Sequence, residues 1–319
     1  MAHFPDGDVY AGLSGLQLEV DEIELGEGIV LRRTYAHLMA PFLMAFTPAQ
    51  PGKPHPAPWK AAHGGFGFDL AAELLVPKGL RPFLGERIEL VRLVVALMRF
   101  WASPSITIPV ISNISFSTAA GAPDNEAHFL PLEIEQRYFP LVAPEGESLN
   151  EARLLWVKES WRTAADLVAR HAELKLAVDA LDKGQFIRNP ALALLSLWGA
   201  LEALFSPART ELRFRVAALI ASYLRDPGPE RQELHTRVLR LYDHRSAAAH
   251  GQAKQDPDGL LQTFEVLRQV VLRMISEHHV PSKEDLEGLL FGVDKASAEK
   301  SSNNRLEPPP QSGAAQPER

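Results

Sequence analysis

The side chains in this sequence best suited to chemistry are an arginine and a histidine five residues apart: Arg245 and His250 in YDHRSAAAHGQ (Tyr242–Gln252). Arg is always cationic and can grip a phosphate with two parallel N–H donors, whereas imidazole exchanges a proton near neutral pH. One group that holds charge and one that handles protons are the minimum set for moving a phosphoryl bond without a metal. The spacing alone selects nothing. Arg32…His37 and Arg273…His278 repeat it, and 23 Arg with 11 His give roughly one such pair by chance. A structural or surface pair is the competing reading.

Geometry sharpens the question. In a continuous helix residues i and i+5 are about 500° apart, so Arg245 and His250 point some 140° away from each other. Either the helix tightens or unwinds at its end, where Gly251 can cap it, or a second subunit completes the working pair. Ala247–Ala249 leave the surface between them uncluttered.

Other chemistries find less support. With no cysteine, disulfides, thiolate nucleophiles, Fe–S clusters and sulfur-ligated zinc are excluded. There is no G-x-x-x-x-G-K-[ST] and no G-x-G-x-x-G, since Gly26 and Gly28 lack a third glycine. HGGFG (His63–Gly67) has no G-x-S-x-G elbow to accompany it and reads as turn glycines. Glu277–His278–His279 closes a helix and would need further ligands to hold a metal. No metal and no cofactor are expected.

The elements that must position Arg245 and His250 follow from periodicity. Leu16, Leu18 and Val20 alternate with polar residues, as do Ile23 and Leu25, and Gly26 and Gly28 punctuate the run before Ile29–Leu31: strand, turn, strand. Pro and Gly crowd residues 48–67, which predicts a surface loop. Ile88–Trp101 is a helix with Ile88, Val91, Val95 and Met98 on one stripe. Ile106–Phe116 is β-branched and carries Pro109, which suits an edge strand or a bulge, and Leu132–Phe139 alternates again. From VAPEGESLN (Val142–Asn150) onward the pattern is helical. Ser148 with Glu151 fits a capping box. Helices are predicted over Arg153–Asp182 (one, or a broken pair), Pro190–Phe205, Glu211–Arg225, Glu230–Asp243 and Leu260–Ile275, with Ser282 and Asp285 capping a short last one. The fold class is therefore α+β: a mixed, β-rich α/β domain over residues 1–147, a helical bundle over 148–295, and a disordered tail over 296–319.

Within that bundle, LLSLWGALEALF (Leu194–Phe205) places Trp198 and Glu202 four residues apart on one helix face, about forty residues before Arg245. Trp198 reads as core; a carboxylate on so apolar a helix needs a partner, and a purely structural ion pair with Arg245 or another Arg is an even alternative to a functional role. The order W-x-A-L-E-x-L-F, then Y-D-x-R-S-x-x-x-H-G, resembles the Apea-like branch of the HEPN superfamily, helical domains built around an R-x(4–6)-H motif. The resemblance covers roughly Gln185–His279. It implies a metal-independent endoribonuclease with antiphage, abortive-infection or toxin roles, its site assembled at a homodimer interface. By position, His250 is then the acid–base residue and Arg245 the phosphate-binding one. Glu202 would orient either of them, and Ser246, Tyr242, Asp243 and Trp198 would support the site or contact substrate. Attack of a ribose 2′-OH on the adjacent phosphate would give a 2′,3′-cyclic phosphate, so DNA should resist. A non-catalytic RNA- or nucleotide-binding or dimerisation module is the alternative, and a plain helical scaffold a third.

Composition fits a packed chain: 319 residues, 46% hydrophobic and 23% charged, at 35.2 kDa enough for two domains. A net charge of −7 argues against a general nucleic-acid coat. Between Pro207 and Gln255, however, eight Arg and one Lys face five acids, a local excess of four positive charges. That excess suits either a phosphate or simply solvated helix faces. The opening MAHFPDGDVY, with no basic start followed by an apolar run, does not read as a secretory signal, and no run reaches the roughly 18–20 apolar residues of a membrane helix. A soluble cytoplasmic protein with no membrane contact is expected, with RNA as partner and a regulatory ligand or partner for the N-terminal domain.

Overall fold

The computed structural model describes residues 7–40, 42–80, 87–135, 149–205, 212–249 and 257–292. Two compact units are present: Met1–Leu204 with Asp243–Val280, and Phe205–Tyr242 with Pro281–Arg319.

The first unit is built on an antiparallel sheet. Its strands are β1 (Val9–Ser14), β2 (Glu22–Gly26), β3 (Ile29–Ala40), β6 (Phe66–Val76), β7 (Thr107–Ser112) and β8 (Phe129–Pro131), in the order β2-β3-β6-β1-β7-β8. A separate two-stranded ribbon joins β4 (Leu43–Ala45) to β5 (Trp59–Ala61). Register explains the core. Leu31 faces Leu74, which faces Ala11, which faces Ile111, so one row of fully buried apolar side chains crosses four strands. Pro109 lies in β7, which is not an edge strand, and the β1–β7 register shifts between Gly12 and Ser14 opposite it. The missing N–H is thus accommodated by a bulge.

Helices of the same unit are α1 (Arg87–Trp101), α2 (Phe116–Ala119), α3 (Glu151–Arg170), α4 (Ala172–Lys183), most of α5 (Pro190–Phe205), the end of α7 (Pro229–Ala249) and α8 (Pro257–Ser276). α1 buries Leu90, Val91, Val94, Val95, Leu97 and Met98, and α3 buries Leu154, Val157, Trp161 and Ala165. The Trp161 indole N–H donates to the Leu25 carbonyl at 2.8 Å, fixing α3 to β2. Of the two arrangements open for Arg153–Asp182, the broken pair forms: His171 is extended between α3 and α4. The second unit holds α6 (Leu212–Leu224), the first part of α7 and α9 (Lys283–Phe291), and Ser282 and Asp285 make the reciprocal capping box at α9.

Several expectations change. Residues 16–20 are not a strand: Leu16 and Leu18 are buried, but the backbone here bonds to Leu149 instead of a sheet neighbour. β1 and most of β6 were not anticipated, and β5 interrupts the stretch expected to be loop over 48–67. α3 is capped by Asn150, whose side chain accepts from the Arg153 N–H, and of the alternating run expected over Leu132–Phe139 residues 132–135 are not strand, since β8 ends at Pro131; Ser148 lies outside the described residues, as do residues 136–139 and 293–319.

One charged cluster sits inside the first unit. Arg99, with side-chain exposure of 2%, is ion-paired to Asp182 on α4 and to Glu133 after β8, and donates to the Ile106 carbonyl at 2.8 Å. Glu133 also accepts the Ile108 N–H at 2.8 Å. Burial pushes the Asp182 carboxyl above its ordinary pKa, while Arg99 pulls the other way. Replacing Arg99 by Leu strands two carboxylates in a dry site, so urea unfolding should report a loss of about 3–5 kcal/mol; a loss below about 1 kcal/mol would contradict this account.

Candidate functional site

α5 is apolar nearly all round. Ala193, Leu194, Leu197, Trp198, Ala200, Leu201 and Leu204 are buried, and Trp198 is completely enclosed. One turn after Trp198, Glu202 departs from that pattern and remains only partly buried, with 19% of its side chain exposed. Burial of a carboxylate to this degree calls for a cation, and Arg245 supplies it. The Arg245 Nη2 lies 3.1 Å from Glu202 Oε1 and 3.2 Å from Glu202 Oε2, with 28% of the Arg side chain exposed. Both oxygens of one carboxylate therefore face a single guanidinium nitrogen.

α7 continues through Ala249, so Arg245 stands on a regular helix one turn before its end. Ser246 beside it is partly buried, Asp243 is exposed, and Tyr242 is partly buried. Ala248 is buried while Ala247 is only partly so. His250 lies outside the described residues. The structure thus brings together Glu202 and Arg245 of the residues picked out by sequence. Trp198 serves the core that carries Glu202.

The charge arrangement has a chemical consequence. A guanidinium presents its N–H donors in the fork geometry that suits a phosphate, and the Glu202 carboxylate fixes one side of that fork. Glu202 also limits the rotamers Arg245 can adopt. An anion arriving there would meet a donor already oriented.

Two further charged groupings were not singled out by sequence reasoning. One is the Arg99 cluster described above. In the other, Glu73 on β6 is fully buried, ion-paired to Arg32, and accepts from the Ser115 hydroxyl at 2.9 Å and the Phe116 N–H at 2.8 Å. Neither cluster carries a local sequence signal, because their members are scattered over 34–83 positions. In the second unit, His235 packs edge-on to Phe214 with ring centroids 5.3 Å apart. Its pKa is lowered by burial, with Arg213 adding repulsion. A cavity of about 780 Å³ in that unit is lined by Arg225, Arg237 and Arg240 together with Glu230 and Glu233. None of the site residues predicted from sequence lines it. Among the described residues no cluster of three or more His, Asp or Glu has the arrangement of a metal site, and no helix is long and apolar enough to cross a membrane.

In comparisons with known proteins, no family model, no curated protein and no solved structure matches this chain.

The Glu202–Arg245 pair is reachable by water, which limits its energy. A double-mutant cycle with Glu202→Ala and Arg245→Ala should give a coupling of about 1 kcal/mol in chemical denaturation. A coupling indistinguishable from zero would mean that the two side chains do not hold each other.

Proposed function

We propose that the chain is a HEPN-like, metal-independent endoribonuclease whose helical segments from Glu151 onward carry the catalytic motif. The observation that carries this reading is the ion pair between Glu202 and Arg245. It joins the two sequence segments, W-x-A-L-E and Y-D-x-R-S, on which the resemblance to the Apea-like HEPN branch rests. In this reading Arg245 binds the scissile phosphate and Glu202 is its positioning residue. His250 of one subunit removes the proton from the ribose 2′-OH as that oxygen attacks phosphorus. The P–O5′ bond breaks, and His250 of a second subunit protonates the departing 5′-oxygen. The products are a 2′,3′-cyclic phosphate and a 5′-hydroxyl. The enzyme works as a cytoplasmic homodimer without cofactor or membrane contact, in phage defence or a toxin-like stress response, and the β-rich segment before it recognises a ligand or partner that regulates cleavage.

A second reading has its own support. Arg245 is already neutralised by Glu202, which is what a structural ion pair between two helices requires. The chain would then be a non-catalytic HEPN-like module that binds RNA or nucleotide, or that only dimerises.

Cleavage separates the two. With the first reading, purified protein cuts single-stranded RNA in the presence of EDTA and leaves the 2′-deoxy analogue intact. His250→Ala should lower the rate by at least about 100-fold without changing the circular-dichroism spectrum. Undiminished cleavage by His250→Ala removes the proposal, and RNA binding without cleavage by the wild-type chain establishes the second reading.

A further inference from the structure

The buried cluster around Arg99 carries more negative charge than positive. Two carboxylates, Asp182 and Glu133, close on one guanidinium. Arg99 takes Oδ1 of Asp182 and Oε2 of Glu133; among the described residues the other oxygen of each carboxylate meets no donor. A carboxylate withdrawn from water and only half bonded draws a proton or a cation. Burial, the largest influence on Asp182, accordingly raises its pKa.

Space for a cation lies beside it. A cavity of about 260 Å³ opens between α1, α3 and α4, and another of about 270 Å³ lies toward the segment after β8. Asp182 lines both. The walls of the first include Leu93, Ala96, Val168 and Val178, all buried. Its remaining charged residues answer one another near the surface: Arg92 pairs with Glu89 at 3.2 Å, and Lys175 and Lys183 with Asp179 at 2.9 and 2.8 Å. Those side chains are 35–55% exposed and Asp182 only 9%, so the charge without full compensation is also the deepest. Apolar walls converging on one perturbed ionisable group are the form of a small-molecule site.

We propose that the cavity between α1, α3 and α4 binds a primary organic ammonium with a short apolar body. Its nitrogen sits on Asp182, and its carbon chain lies against Leu93, Ala96, Val168 and Val178. One added positive charge balances the two carboxylates that Arg99 alone does not. A divalent metal fits less well, because Ca²⁺ or Mg²⁺ needs about six oxygens and these walls are hydrocarbon. An anion would find only cations that already have partners. The proposal goes beyond the ribonuclease reading and does not rest on it, since neither Glu202 nor Arg245 lines either cavity.

Isothermal titration calorimetry of the purified chain at neutral pH, with n-hexylamine, 1-hexanol and hexanoate as probes, tests it. Hexylamine should bind one-to-one with a Kd below about 1 mM, and the alcohol and the carboxylate at least about 10-fold more weakly. Asp182→Asn should weaken hexylamine binding by at least about 10-fold yet leave the chain folded, because Glu133 still neutralises Arg99. Should that variant not fold, Val178→Phe, which fills the cavity, should abolish hexylamine binding with an unchanged circular-dichroism spectrum. A wild-type chain that does not bind hexylamine overturns the proposal, as does hexanol binding as tightly as the amine. Displacement of hexylamine by millimolar CaCl₂ at constant ionic strength, or a folded variant of either kind that binds like wild type, overturns it too. RNA cleavage, whether seen or not, bears on the ribonuclease reading alone.

Discussion

A guanidinium that is partly withdrawn from water is favoured beside negative charge, and Arg245 is met by Glu202. That requirement ties α7 to α5 at one point. It also explains why so apolar a helix as Pro190–Phe205 carries a carboxylate at all. Trp198, Leu201 and Leu204 of the same helix are buried in the core. The pair therefore sets where a donor for an anion stands. Nothing in this depends on strong ion-pair energetics, because water still reaches both partners; what matters is orientation.

The rest of the first unit supplies a rigid base for that arrangement. Arg99 draws α1, α4 and the segments flanking β7 and β8 onto a single cation, and the Trp161–Leu25 hydrogen bond holds α3 against the sheet edge. A buried cluster of this kind adds little net stability compared with apolar packing, but any displacement of one element leaves a charge unpaired. Register is enforced in the same way at Glu73, which accepts both the Ser115 hydroxyl and the Phe116 N–H where the short α2 begins.

How much of this was legible in the sequence depended on whether the signal was local. The helix expected over Ile88–Trp101 starts one residue earlier, and the one over Pro190–Phe205 has the bounds anticipated, because 3.6-residue periodicity and a proline start are written in the segment itself. The helix ending expected at Asp243 instead runs to Ala249, since alanines continue a helix as readily as any residue. The alternation at Leu16–Val20 misled: the backbone of this segment pairs with Leu149, a partner more than a hundred residues away, and not with a sheet neighbour. β1 escaped notice because Ala11 and Gly12 dilute its pattern, although its neighbours on both sides bury it. Arg99 looked like an interruption of an apolar run; its counter-charges lie 34 and 83 residues along. In the candidate site, the pairing of Glu202 with Arg245 was one of the options that composition left open, because a lone carboxylate on an apolar helix demands a cation. Which cation it meets is decided by tertiary packing.

The chemistry of the cut ends tests the central claim most directly. A short RNA with one scissile site, incubated with the purified chain in EDTA, should yield fragments whose masses show a 2′,3′-cyclic phosphate on one side and a 5′-hydroxyl on the other. Those ends can only come from attack by the neighbouring ribose hydroxyl, the reaction for which an arginine and two imidazoles suffice. Fragments ending in a 3′-hydroxyl and a 5′-phosphate, or an RNA left whole, would contradict it.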